Sequence, residues 1–155
     1  DDALEKFITM REIEGNKLIE DIEKRVYVIK DKVNQITKYS GTLVEDYMKK
    51  LEQRVTEYMN NQAIDENRLM QEIVIFSDKS SIEEELTRLK SHIDQFLNLI
   101  KQSSPIGKKI DFLIQEMNRE INTIGSKANC LEITNLVIEL KTEVENIREQ
   151  IQNVE

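Results

Sequence analysis

Residues Ile133-Thr134-Asn135-Leu136-Val137-Ile138-Glu139-Leu140-Lys141-Thr142-Glu143-Val144 open the stretch that decides the fold. Ile133, Val137, Leu140 and Val144 recur at steps of 4, 3 and 4, and Ile147, Ile151 and Val154 continue the alternation. Steps of three and four hold side chains on one face of a helix, whereas a half-buried strand needs an apolar residue at every second position. Three heptads with few breakers read as a coiled-coil-like seam.

The same period runs outward through the chain. Leu18, Ile22, Val26, Ile29, Val33 and Ile36 mark a long first helix, beginning near Ala3. Gly15 lies inside it at a cost of about 1 kcal/mol relative to Ala, which favours a close backbone contact there over a break. Ser40-Gly41-Thr42 reads as a stop and restart, and Val44, Tyr47, Met48, Leu51, Val55, Tyr58 and Met59 mark a second helix closing at Asn60-Asn61. The two are expected to form an antiparallel hairpin. Asp65 is placed to cap a third helix through Leu69, Ile73 and Phe76, and Ser81 with Glu84 has capping-box spacing for a fourth. The fourth carries Ile82, Leu86, Leu89, Ile93, Phe96 and Ile100 and stops at Gln102-Ser103-Ser104-Pro105. A fifth begins after Gly107, with Ile110, Leu113, Met117, Ile121 and Ile124 inward, and closes at Gly125-Ser126. The expected fold is all-α, with about six helices in long antiparallel hairpins and coiled-coil-like first and last helices.

Composition agrees. One Pro and four Gly in 155 residues, with 34% charged, leave too little turn material for a sandwich or barrel. No apolar run approaches the roughly 20 residues of a membrane span, so a soluble protein is expected. Cys130 is the one cysteine, which excludes an internal disulfide, and no Cys/His spacing for structural zinc exists; a reducing cytoplasm suits this usage. The chain starts at Asp1 without the succession of a signal peptide, and a fragment lacking its N-terminal part is expected.

A net charge of -8 argues against phosphate binding by the surface as a whole. Its distribution matters more. Between Leu86 and Ala128 seven basic residues (Arg88, Lys90, Lys101, Lys108, Lys109, Arg119, Lys127) face four acidic ones, a local balance of +3. This is either chance clustering on solvated helix faces or a polyanion site on an acidic frame.

The sequence holds no Gly-rich phosphate loop, no nucleophile elbow and no His-Glu-x-x-His. Its one histidine, His92, shares a helix face with Glu85 and Arg88, offset from the apolar stripe. On the next helix Glu116, Glu120 and Thr123 share a side. If the two helices are antiparallel neighbours, these polar faces meet, and an imidazole with two or three carboxylates suits manganese or magnesium. Spacing alone leaves the alternative open, because Glu pairs at i, i+4 are abundant on solvated helices and a lone histidine is usually an ordinary residue.

Several segments carry a resemblance: Arg11-Glu12-Ile13-Glu14-Gly15, Leu69-Met70-Gln71-Glu72-Ile73, Glu84 to Phe96, the run Gly107 to Ala128 containing Gln115-Glu116-Met117-Asn118-Arg119-Glu120, and the ending Ile147 to Glu155. Together they resemble the C-terminal half of the YicC/YloC family, over essentially the whole chain. The resemblance implies that residues 1–155 are a C-terminal helical domain whose N-terminal α/β portion is absent. It further implies a bacterial, cytoplasmic, stress-induced, metal-dependent endoribonuclease assembling as a hexamer. On this sequence the family motifs fall at Arg11, Glu14, Gly15, Glu72, Glu85, Arg88, His92, Glu116, Arg119, Glu120 and Lys127. His92, Glu116 and Glu120 become the catalytic candidates and, with Glu85, the metal ligands; Arg88, Arg119, Lys127, Lys108, Lys109 and Arg11 become the RNA-binding candidates. Arg88 and Arg119 could instead pair with Glu84, Glu85 or Glu116. A helical oligomerisation or interaction module without activity is the alternative, and the stripes Leu18 to Ile36 and Ile133 to Val154 point to self-association, being more than a single small core requires.

Overall fold

A computed structural model describes residues 2–59, 63–102 and 107–153. Among these the chain is all-α, as expected, with five helices: α1 (Asp2–Met59), α2 (Glu66–Ser80), α3 (Glu83–Leu99), α4 (Gly107–Lys127) and α5 (Leu131–Gln152). The predicted stops at Asn60-Asn61 and Ser103 to Pro105, and Val154 at the end of the seam, lie outside the described residues.

The middle of α1 packs with α3, α4 and α5 as a four-helix bundle in which each helix is antiparallel to its two neighbours. The direction is legible in ion pairs. Lys30 Nζ lies 3.0 Å from Asp94 Oδ1 and Lys101 Nζ 3.5 Å from Glu23 Oε1, running α1 against α3; Arg25 pairs with Glu143 at 3.0 Å and Lys32 with Glu139, running α1 against α5. Exposed pairs of this kind contribute little, about 0–1 kcal/mol each. The fold is held by one apolar core. Val26, Ile29, Val33 and Ile36 of α1 meet Leu89 and Ile93 of α3, Met117, Ile121 and Ile124 of α4, and Ile133, Leu140 and Ile147 of α5, all buried. Burial of each such side chain contributes about 1.5–3 kcal/mol.

This consumes both stripes from which self-association was read. The α5 seam turns inward within one chain rather than toward a partner. Exposed apolar side chains remain on several helices, among them Val74 and Ile75 of α2, Phe112 of α4 and Ile138 of α5, and they cluster along the chain on the α1 segment preceding the bundle, at Leu4, Phe7, Ile8, Met10 and Ile13.

Ser40-Gly41-Thr42 does not break α1, so the predicted hairpin is one continuous helix and the helix count is five rather than six. The polar side chains are accommodated in place: Ser40 Oγ donates to the Thr37 carbonyl at 2.9 Å and Thr42 Oγ1 to the Tyr39 carbonyl at 3.2 Å. The apolar stripe crosses the site unbroken through Leu43 to Tyr47, whose ring stacks on Phe76 of α2 at 3.7 Å. That packing outweighs the roughly 1 kcal/mol penalty of Gly41.

Asp65 caps α2 as predicted, accepting the Arg68 amide at 3.2 Å. The Ser81 capping box does not form. Ser81 is the extended residue ending α2, and α3 starts behind Ile82 with no side-chain cap. Ile82 is buried in the core, and that anchoring sets the start of α3 in place of a cap. Gly125-Ser126 does not close α4, which continues to Lys127; Gly125 instead brings α4 against α5, since a Cβ there would meet Val137 Cγ1 at 3.0 Å. Gly15, where the close contact was expected, has nothing within 4 Å of its would-be Cβ.

Candidate metal centre

The α3–α4 pair builds the site. Arg88 Nε donates to Glu120 Oε1 at 2.8 Å and Lys127 Nζ to Glu85 Oε1 at 2.7 Å, which marks the antiparallel register of the two helices. In that register His92 stands opposite Glu116, and ligand atoms of His92, Glu116 and Glu120 all lie within 4.8 Å of one another. Apolar neighbours on the inner faces, Leu89 and Ile93 against Met117 and Ile121, hold the two backbones in place.

Glu120 is 5% exposed and Glu85 3%. Buried carboxylates stay charged only if compensated. Arg88 does this for both, bonding Glu120 and lying 3.6 Å from Glu85, with the exposed Glu84 at 3.5 Å on its outer side. The Glu120 hydrogen bond accordingly raises the pKa of the Arg88 guanidinium. For Glu85, burial pushes the carboxyl up, but the Lys127 hydrogen bond, its own backbone amide and the charges of Lys127 and Arg88 outweigh it, leaving the pKa below the ordinary carboxylate range.

Two polar atoms remain unsatisfied here. His92 Nδ1 and Glu85 Oε2 are buried and have no hydrogen-bond partner among the described residues. Glu116, half-buried, enters no ion pair among the described residues. Four carboxylates (Glu84, Glu85, Glu116, Glu120) therefore share two cationic side chains, Arg88 and Lys127. A divalent cation between His92, Glu116 and Glu120 would balance that excess and give an imidazole nitrogen a partner, so the residues present fit one.

The structure brings only some of the predicted site residues together. His92, Glu116 and Glu120 come together. Glu85 is not part of that group and is paired with Lys127 and Arg88. Lys127 and Arg88, taken as RNA contacts, are engaged with buried carboxylates. Arg119, Lys108 and Lys109 are exposed on α4 and in no ion pair among the described residues, while Arg11 lies on the α1 segment before the bundle, its guanidinium 5.8 Å from the Phe7 ring centre. Sequence reasoning missed the Lys127–Glu85 pair, which joins residues 42 positions apart. It also passed over Phe112, an exposed aromatic whose signal is that it falls outside the Ile110, Leu113, Met117 series.

The family model of the endoribonuclease YicC-like C-terminal domain matches residues 36–155. The chain belongs to this family. It is 56% identical over 156 residues to the probable endoribonuclease YicC of Clostridioides difficile (strain 630), covering 100% of this chain and 53% of that protein. To the probable endoribonuclease YicC of Haemophilus influenzae (strain ATCC 51907 / DSM 11121 / KW20 / Rd) it is 36% identical over 155 residues, with the same shares covered. The chain thus spans about half the length of these curated YicC relatives. The match includes all of α2 to α5, and with them every residue of the cation cluster. No helix among the described residues is long and apolar enough to cross a membrane.

Proposed function

We propose that this domain carries the cation site of a metal-dependent endoribonuclease that cleaves single-stranded or structured RNA within a homo-oligomer in the bacterial cytoplasm. The observation that carries the reading is the convergence of His92, Glu116 and Glu120 from two helices, in a family whose curated relatives are named probable endoribonucleases. Manganese or magnesium suits one imidazole and two carboxylates. Such an ion supplies charge stabilisation to the phosphate being cleaved.

The chain's own residues do the positioning. Arg88 holds Glu120 Oε1 and fixes that carboxylate's orientation, and through its contact with Glu85 it ties the pair to Lys127. Arg119, Lys108 and Lys109 carry free positive charge on α4 and neutralise flanking phosphates. The C-terminal family model and the half-length coverage of the relatives support residues 1–155 as the C-terminal helical part of a longer protein, for which the resemblance implies a preceding α/β portion.

One observation favours a second reading, an assembly module with no activity of its own: the exposed apolar side chains of α1 from Leu4 to Ile13. Cleavage of a fluorescent RNA by this chain and by the full-length protein, each with manganese and with chelator, decides between them. Metal-dependent cleavage that disappears in Glu116→Gln supports the nuclease reading. Cleavage by the full-length protein that ignores both chelator and substitution leaves the assembly reading standing.

A further inference from the structure

Beyond the cation cluster the α3–α4 groove continues toward the C-terminal end of α3 and opens into a cavity of about 500 Å³. In the register marked by Arg88–Glu120, one turn forward along α3 from His92 reaches Gln95 while one turn back along α4 from Glu116 reaches Phe112. The next turns bring Asn98 and Gln102 on one wall and Lys109 and Lys108 on the other.

The chemistry of this lining is unlike the rest of the chain. Among the described residues no carboxylate lines it, although acidic residues outnumber basic ones 30 to 22. Phe112 is 58% exposed in it. Lys108 and Lys109 enter no ion pair among the described residues, and the side-chain amides of Asn98 and Gln102 make no hydrogen bond there; Gln95 uses only its Nε2, donating to Ser91 Oγ at 3.1 Å. α4 begins here at Gly107 with no acidic residue in its first turn, so its amide end adds to the positive field.

An exposed aromatic face, free amides and unpaired ammonium groups are the three elements that bind an unstacked nucleotide: the ring stacks the base, amides reach its edge and lysines neutralise its phosphates. Phe112 stands one helical turn, about 5.4 Å, along α4 from Glu116. A nucleotide stacked there has its phosphate within reach of the cation cluster.

We infer that this groove is a nucleobase subsite, in which Phe112 stacks an unpaired base next to the scissile phosphate while Gln95, Asn98 and Gln102 contact its edge and Lys108 and Lys109 its phosphates. The inference rests on the RNA-cleaving reading above and narrows its substrate to RNA that is single-stranded at the cut, because a base inside a duplex cannot present its face.

The test uses the full-length protein carrying this domain, a hexaribonucleotide containing 2-aminopurine, and EDTA, so that binding is read without cleavage or cation. The parent protein quenches the probe. Phe112→Leu loses the quench and binds roughly tenfold more weakly, the loss expected for one stacked base; Phe112→Tyr retains both. Lys108→Ala and Lys109→Ala each reduce the slope of log affinity against log salt by about one. No quench by the parent, or parental affinity and quench in Phe112→Leu, overturns the inference. So does a fall in sedimenting mass of Phe112→Leu with RNA affinity unchanged, which makes the groove a protein contact. The metal reading fails separately: parental manganese-dependent cleavage by Glu116→Gln and Glu120→Gln removes the cation site and leaves the quench in EDTA untouched.

Discussion

Lys127 Nζ lies 2.7 Å from Oε1 of Glu85, joining the last turn of α4 to the first turn of α3 across 42 residues of sequence. The carboxylate it reaches is almost wholly buried, and its second oxygen has no partner. A lysine that the resemblance assigns to RNA thus serves in the fold as the counter-ion of a buried carboxylate, and its loss is expected first in stability.

Lys127→Met keeps the stem and removes the charge. Glu85 then retains its own backbone amide and the more distant Arg88, and the domain is expected to lose about 2 kcal/mol at neutral pH, the cost of leaving a buried polar group short of its partner. Urea denaturation measures it; a variant as stable as the parent would show that Glu85 is content with Arg88.

The pair also sets a pH dependence whose sign follows from Glu85. Burial raises its pKa, and the Lys127 hydrogen bond, its backbone amide and the charges of Lys127 and Arg88 lower it by more, so the net folded value lies below the ordinary 4.5. A depressed carboxylate pKa contributes stability that is present above the unfolded value and is lost as pH falls through the folded one. The stability gap between the parent and Lys127→Met is thus full at pH 7 and closes in acid. Denaturation curves at pH 7 and pH 3 check this, and an unchanged gap would remove the electrostatic explanation.

Glycines separate by what surrounds them. Gly15→Ala and Gly41→Ala, with nothing within 4 Å of the added Cβ, are expected to gain about 0.5–1 kcal/mol from helix propensity. Gly125→Ala gains the same propensity but drives a methyl to 3.0 Å from Val137, a buried β-branched side chain with little room to move, and is expected to lose about 1 kcal/mol net. Thermal melts of the three variants should move in opposite directions; a stabilised Gly125→Ala would show that the α4–α5 contact yields.

Glu116→Gln and Glu120→Gln preserve shape and remove ligand charge. Each is expected to weaken manganese binding at least tenfold by calorimetry and to abolish metal-dependent cleavage in the full-length protein, with RNA affinity nearly unchanged. Glu120→Gln should in addition lower stability by about 1–2 kcal/mol, because it exchanges the charged acceptor of Arg88 for a neutral amide oxygen, whereas Glu116→Gln should not. Equal stability losses would indicate that Glu116 also has a structural partner.

The amino-acid sequence by itself determined the helices. The series Leu18 to Ile36, Ile82 to Ile100, Ile110 to Ile124 and Ile133 to Ile151 each repeat at three and four, and a helix is the only regular structure that puts such positions on one face. Asp65 was legible for the same reason, since a cap acts on amides two or three residues away. His92, Glu116 and Glu120 were legible as candidates because a short connection makes α3 and α4 neighbours.

Only the tertiary structure decided the rest. Ser40-Gly41-Thr42 carries local signals for a break, and the stripe running through Leu43 to Tyr47 and α2 overrides them. Glu85 and Glu120 are both buried carboxylates on polar helix faces, yet one takes Lys127 and the other lies with His92. Which carboxylate meets which cation depends on the axial register of α3 against α4. That register is set by how Leu89, Ile93, Met117 and Ile121 pack between the helices, a contact between residues too far apart in the chain for periodicity to encode.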